Sequence, residues 1–358
     1  MEIPKIVLGS LYGDEGKGKA TSLLCSQLYQ PLVVRFNGGH QAGHTVKVGD
    51  KKHVFSNYGS GSLQGAPTLW SHFCTFNPSD VIVECRALNS PYLFVHGLCP
   101  VTTPYDILAN RITEASQRHG SVGLGFGKTI ERQERYFKLF VQDLPFESIV
   151  REKLRNIANY YGDFKIDIEP FLMHIREALN IIDIVHDYKM LNDNNVVLEG
   201  AQGILLDQDF GFFPNVTRSN TTSKNALSLV PVADIFYTTR TYQTRHGNGF
   251  MTNEGLPLEL INNENETNTF CLWQGNFRTS ILDVDLLNYA LTCDRNFSND
   301  CSKNLVISCV DQTGYDFDVT VKGIKQRINL SDLPKMLDCK FDKIYFSKGE
   351  SYEDIELM

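Results

Sequence analysis

The feature that most limits what this chain can fold into is a glycine-rich turn placed directly behind its first apolar run. Lys5–Leu8 reads as a buried strand, and Gly13-Asp14-Glu15-Gly16-Lys17-Gly18-Lys19 follows it and opens a helical pattern over Gly18–Gln27. Three glycines let a backbone turn sharply and bring its N–H groups against an anion. The helix N-terminus adds a favourable dipole, and two lysines add charge. Gly13-x4-Gly18-Lys19 fits a Walker A phosphate loop, but the next residue is Ala20, so the hydroxyl that normally ligates magnesium is missing. Asp14 is the carboxylate within the loop left to hold the metal. A solvated Gly/Lys turn is the competing reading of this segment taken alone.

Further β-branched runs lie at Leu32–Phe36, Val81–Glu84, Asn195–Glu199, Ile235–Thr238, Leu305–Cys309 and Lys343–Phe346, and several are apolar on both faces. Helical patterns fall between them over Pro104–Ser116, Ile168–Met190 and Val284–Thr292. This alternation predicts an α/β, P-loop-like fold: a central, mainly parallel sheet flanked by helices, with insertions and with chemistry in the loops after strand carboxyl ends. The Asn/Glu-rich stretch Ile261–Asn268 is expected to be a surface loop, and no linker splits the chain, so residues 1–358 are expected to form one domain.

Charge narrows the partners. Thirty-four Lys and Arg against 42 Asp and Glu leave a formal net charge of −8, which argues against nucleic acid or a membrane surface as a partner. No run approaches the roughly 18 apolar residues of a membrane helix, and the N-terminus lacks a signal-peptide core. The nine cysteines are odd in number and contain no Cys-x-x-Cys pair, as expected for reduced thiols in a cytoplasmic protein.

Two more segments carry polar chemistry after strands. Arg35-Phe36-Asn37-Gly38-Gly39-His40-Gln41-Ala42-Gly43-His44-Thr45 offers glycines, histidines and a hydroxyl to a phosphate. His40-x3-His44 would suit a two-histidine metal pair on a helix, but the glycines argue against a helix there. Glu199-Gly200-Ala201-Gln202-Gly203 leads on to Val216-Thr217-Arg218-Ser219-Asn220-Thr221-Thr222, whose amides and hydroxyls suit a polar ring or sugar. Taken alone, such Ser/Thr/Asn runs are usually turns.

Together these segments resemble the adenylosuccinate synthetase family: Tyr-Gly-Asp-Glu-Gly-Lys-Gly-Lys, Gly-Gly-His-x-Ala-Gly-His-Thr, Glu-Gly-Ala-Gln-Gly, Val-Thr-x-Ser-Asn-Thr-Thr, then Thr244-Arg245-His246-Gly247-Asn248-Gly249. They stand in the family's order from Ile3 to about Asp283, with weaker echoes beyond. The resemblance implies a ligase that spends GTP, with magnesium, to phosphorylate O6 of inosine monophosphate (IMP) and then lets L-aspartate displace that phosphate at C6. It implies catalytic roles for Asp14 as base, His44 as acid, Lys17 in the phosphate cradle and Gln202 at the substrate. It places the nucleoside triphosphate on Gly13, Glu15, Gly16, Gly18, Lys19, Gly43, Thr45, Asp311, Ser347 and Gly349, and the metal on Asp14 and the Gly43 carbonyl. The monophosphate falls to Gln41, Ser121, Val122, Arg135, Gln202, Thr217 and Arg245. Aspartate falls to Asn276, Arg278 and Thr279. The resemblance also implies a homodimer, in which an arginine crosses to the neighbouring site.

The chain departs from the pattern in several places. Gln41 stands where the family carries Asn, and Ser121–Lys128 keeps the glycines of its loop but lacks the arginine and one hydroxyl. The crossing arginine is either Arg132 or Arg135. The aspartate loop, normally rich in arginine, reads Trp273-Gln274-Gly275-Asn276-Phe277-Arg278-Thr279, and a guanine-reading Lys-x-Asp becomes Cys309-Val310-Asp311. GTP and ATP therefore both stand as donors. A related branch acts on dGMP to make 2-amino-2′-deoxyadenylosuccinate, generally with a small residue in place of the loop aspartate. Asp14 favours IMP, whereas the short chain and altered aspartate loop favour dGMP. An inactive nucleotide-binding homologue is the alternative of another class, against which the presence of both Asp14 and His44 speaks.

Overall fold

The computed structural model describes residues 1–162, 164–261, 266, 268 and 270–358. Its strands in chain order are β1 (Lys5–Gly9), β2 (Pro31–Arg35), β3 (His44–Val48), β4 (Lys51–Phe55), β5 (Thr68–Trp70), β6 (Leu93–His96), β7 (Asp183–Val185) and β8 (Asn195–Gly203). There follow β9 (Asp234–Arg240), β10 (Tyr242–His246), β11 (Phe277–Asp283), β12 (Ser302–Ser308), β13 (Asp316–Val321), β14 (Ile324–Asn329), β15 (Lys343–Ser347) and β16 (Ile355–Leu357). The helices are α1 (Lys17–Gln27), α2 (Pro78–Ala87), α3 (Pro104–Gln117), α4 (Phe126–Glu134), α5 (Glu147–Tyr161), α6 (Glu169–Ala178), α7 (Lys224–Leu229), α8 (Val284–Ser298) and α9 (Val310–Thr313).

Ten strands form one sheet in the order β16-β15-β12-β9-β1-β8-β2-β5-β6-β7. Every neighbouring pair is parallel except β15–β16 at one edge. β1 lies at the centre, and its side chains divide by the two-residue period of a strand. Ile6 and Leu8 enter one core with Leu32, Val34, Leu198 and Leu305. Val7 faces the other way, onto Val33, Val197, Val306 and the Ala20–Leu24–Cys25 face of α1. Each fully buried aliphatic side chain of this kind contributes about 1.5–3 kcal/mol. A third cluster, with Trp70, Val95, Leu154 and Phe171, covers the β5–β6 side of the sheet. A smaller sheet, β10-β11-β13-β14, stands beside the main one. Among the described residues no helix is long and apolar enough to cross a membrane.

Two expected elements differ. The strand expected at Val81–Glu84 is part of α2, because Asn77 caps that segment by accepting the Ser79 N–H at 2.9 Å and Pro78 occupies the first helical position. The burial then follows a helix: Val81, Ile82 and Cys85 are inside while Val83 is exposed. The helix expected over Ile168–Met190 stops at Ala178. Its second half contains Ile181-Ile182-Asp183-Ile184-Val185, and Asp183–Val185 become edge strand β7, paired parallel with β6. The loop expected over Ile261–Asn268 lies largely outside the described residues.

Candidate functional site

Because β9, β1, β8 and β2 are neighbours in space, the loops leaving their carboxyl ends converge. Gly13, in the β1–α1 loop, has φ +114°, and a Cβ there would come within 2.9 Å of the Gln202 backbone. Only glycine lets the two loops touch. Inside the turn, the buried Glu15 carboxyl accepts the N–H groups of Leu11 (3.0 Å) and Gly13 (2.9 Å). Lys17 donates to the Gly13 carbonyl at 2.5 Å. Burial pushes the Glu15 carboxyl up and the Lys17 ammonium down, and the opposite charge of each partner counters the shift. The Glu15 side chain therefore shapes the loop, which leaves its backbone for an anion. Asp14 keeps its carboxylate partly exposed, with His246 Nε2 as its ion-pairing neighbour at 3.9 Å.

Gly18 sets α1 against the second loop: a Cβ there would lie 2.9 Å from His44 Cβ. His44 Nδ1 is 2.7 Å from Glu199 Oε1, and Glu199 also accepts the Ser60 N–H at 3.1 Å and the Ser60 hydroxyl. Burial opposes ionisation of Glu199, but His44, Arg35 and Ser60 outweigh it and hold the carboxyl at about 2. Burial lowers His44, so its neutral ring donates Nδ1–H to the carboxylate and turns Nε2 outward. His40 has a different partner: its Nε2 meets the Leu124 carbonyl at 3.1 Å. The two histidines do not form a metal pair. Glu199 heads a motif quoted from sequence but was given no role there, although an acid closing the otherwise apolar Val196–Leu198 run is a visible mark.

Gln202 stands at φ +58°, a strained backbone for a residue with a side chain. Its Oε1, like Gln41 Oε1, is buried with no hydrogen-bond partner among the described residues. Both amides are thus left with capacity for a ligand. The Ser121 hydroxyl is used internally, accepting from Asn110 Nδ2 at 2.9 Å, and Val122 beside it is half-buried. The Thr217 N–H donates to the Leu206 carbonyl at 2.8 Å.

Beside the phosphate loop opens a cavity of about 390 Å³ lined by Gly16, Lys19, Thr45, Cys309, Asp311 and Gly349, among others. Lys19 donates to Ser347 Oγ and the Gly349 carbonyl, both at 2.6 Å, so these two residues fix the lysine in the wall. Arg240, missed from sequence, is buried at the end of β9. It donates to the Asp14 carbonyl at 2.5 Å and to Tyr242 Oη at 2.6 Å, and pairs with Glu266 at 2.7 Å. A lone arginine ending a buried strand was its only mark in the sequence.

Arg245 and Arg278 are cross-strand partners in β10 and β11. Arg245 donates to the carbonyls of Phe250 (2.7 Å) and Asn215 (3.0 Å) and lies over the Tyr12 ring at 4.4 Å. Arg278 is paired with Glu254 at 2.7 Å and donates to the Gly249 carbonyl at 2.8 Å. Thr279 pairs with Thr244 in the same ladder, and Asn276 accepts the Gly247 N–H at 3.1 Å. Arg132 is fully buried on Asp106, with Nε–Oδ1 at 2.8 Å and Nη2–Oδ2 at 3.1 Å. Arg135 is exposed. Of the two, only Arg135 has a guanidinium able to reach another molecule.

Among the described residues, no group of three or more His, Cys, Asp or Glu is placed to hold a metal. Asp14 and the exposed Gly43 still fit magnesium, which is commonly held by one or two carboxylates together with substrate phosphates and water.

The adenylosuccinate synthetase family profile matches residues 6–301. The adenylosuccinate synthetase of Vesicomyosocius okutanii is 34% identical over 292 residues, covering 72% of this chain and 64% of that protein. The chain thus spans just under two thirds of that relative's length. The enzyme of Picrophilus torridus is 30% identical over 310 residues, covering 80% of this chain and 73% of that protein. In fold, the chain is similar to the fully ligated adenylosuccinate synthetase of Plasmodium falciparum, with TM-score 0.83, 18% identity and complete coverage of both chains. It is also similar to the succinoaminodeoxyadenylate synthetase of cyanophage S-2L bound to dGMP and dATP, with TM-score 0.69, 15% identity and coverage of 100% of this chain and 95% of that one. The five ordered motifs and the sheet that gathers them have one explanation: the chain belongs to the adenylosuccinate synthetase family.

Proposed function

We propose that residues 1–358 act as one synthetase unit that joins L-aspartate to C6 of IMP at the expense of GTP, through a 6-phosphoryl intermediate. The observation that carries this reading is that Lys17 of the phosphate loop lies within electrostatic reach of both the partly exposed Asp14 and Glu199, the partner of His44. A nucleotide-binding protein without chemistry needs neither a base nor an oriented imidazole.

Asp14 takes the N1 proton of the hypoxanthine ring, which makes O6 nucleophilic. Lys17 and the loop N–H groups hold the transferring phosphoryl group, since such transfers depend on positioning and charge more than on covalent help. His44 Nε2 meets the leaving diphosphate. The anion there offsets the cost of charging a buried imidazole, and Glu199 balances the proton on the far nitrogen. The Asp14 carboxylate and the Gly43 carbonyl would hold a magnesium ion, which supplies charge neutralisation between the phosphates. Gln41, Gln202, Thr217 and Arg245 surround the monophosphate, and Arg278 receives an aspartate carboxylate by leaving Glu254. Arg135 serves the neighbouring subunit of a homodimer. The free state of all nine cysteines accords with a reducing cytoplasm.

The test is phosphate release with IMP or dGMP, GTP or ATP, each with and without L-aspartate. Aspartate-dependent turnover with IMP supports the reading. Turnover with dGMP alone moves the protein to the deoxyguanylate branch, which the altered aspartate loop favours. Absence of aspartate-dependent turnover in every combination refutes a synthetase.

A further inference from the structure

The aspartate loop has lost arginines, yet it is not left without an anchor. Trp273 lies against Gly123 of the loop that precedes α4: a Cβ on Gly123 would sit 2.6 Å from Trp273 Cγ and 2.8 Å from Cδ1. Gly123 has φ +75°, so both backbone and space require glycine there. Arg111 of α3 completes the contact. Its Nε donates to the Gly123 carbonyl at 3.1 Å, and its guanidinium lies 5.6 Å from the centre of the Trp273 ring. Cation and indole at this range attract by about 0.5–2 kcal/mol. The neighbouring backbones close up in the same way, since a Cβ on Gly247 would meet the Gln274 carbonyl at 2.6 Å.

We propose that Trp273 is the positioning residue of the amino-acid site, clasping the 270–276 loop, which leads into β11 and Arg278, onto the 121–125 loop. Resting on the synthetase reading, it assigns an indole and one arginine outside the loop to a task otherwise given to several charges. On the synthetase reading the 121–125 loop under Trp273 faces the monophosphate, so the clasp makes L-aspartate affinity depend on how that loop lies. Trp273 touches no reacting atom; it acts through Arg278.

The chain contains two tryptophans, and Trp70 is wholly buried with its indole N–H on the Asn57 carbonyl. Intrinsic fluorescence therefore reports the half-buried Trp273 directly. The experiment compares wild type, Trp273→Phe, Trp273→Ala and Arg111→Ala by steady-state kinetics, thermal melting and emission on adding IMP or dGMP. Expected results are a KM for L-aspartate raised about tenfold or more in Trp273→Ala, a smaller rise in Trp273→Phe, kcat within about threefold, and unchanged melting. The monophosphate should shift wild-type emission and leave that of Trp273→Phe unmoved. A Trp273→Ala enzyme with a wild-type KM for L-aspartate overturns the clasp, as does an emission shift that survives in Trp273→Phe. If the wild type shows no aspartate-dependent turnover, the synthetase reading fails by itself. The fluorescence arm then decides the clasp, which falls if the monophosphate leaves wild-type emission unchanged.

Discussion

Replacing Glu199 with glutamine tests the charge arrangement behind His44 most directly. The carboxyl is fully buried and held at about 2 instead of 4.5. A difference of about 2.5 pH units corresponds to ~3 kcal/mol of preference for the ionised form in the folded state. Since the folded value is depressed, that stability is fully present above about 4.5 and is lost as pH falls toward 2. At neutral pH the buried imidazole is uncharged, so the stabilisation there comes from the hydrogen bonds to His44 and Ser60 and from the Arg35 charge. Glu199→Gln keeps the shape, removes the charge and leaves Arg35 buried without its counter-ion. It should lower unfolding stability at pH 7 by ~2–3 kcal/mol in urea titrations and flatten the stability curve between pH 4.5 and 2. Turnover should fall at least ~100-fold, because His44 loses the group that orients it and balances its charge. Unchanged stability with unchanged turnover would refute the pairing as the basis of both effects.

Four further substitutions separate roles that lie close together. Asp14→Ala should abolish turnover while donor-nucleotide affinity, measured by calorimetry without magnesium, changes less than about threefold; near-normal turnover would remove Asp14 as the base. Arg132→Ala strands the buried Asp106 charge and should destabilise by ~3–5 kcal/mol. Arg135→Ala should leave melting unchanged and raise the KM for the monophosphate, and the opposite pattern would reverse the assignment. Gln202→Gly relieves the φ +58° backbone and should hold or raise stability by up to ~1 kcal/mol while turnover collapses, and a loss of stability would show that the strain is not stored there.

The central strands were legible because a parallel strand buried on both faces reads as an uninterrupted aliphatic run, as Ile6-Val7-Leu8 and Val196-Val197-Leu198 do. The phosphate loop was legible because its glycines and lysines are local. Val81–Glu84 misled because three β-branched apolar residues carry less information than the Asn77–Pro78 cap before them. Arg240 went unnoticed and Glu199 without a role for another reason: each acts through a partner far away in sequence, Asp14 and His44 respectively. What separates the buried Arg132 from the exposed Arg135 is Asp106, twenty-six residues upstream of Arg132. No spacing rule announces such a pairing.

The strand order has a consequence for how the chain reaches this state. β8, residues 195–203, lies between β1 and β2. The two strands that launch the phosphate loop and the histidine loop therefore cannot be bridged until nearly two hundred residues have left the ribosome. Closing so long a loop before any reward makes assembly slow. In the interval the aliphatic edges of β1 and β2 are open to any other strand, native or foreign. The site and the vulnerability of the nascent chain thus have one origin: catalytic groups drawn from distant stretches meet only once β8 is inserted between β1 and β2.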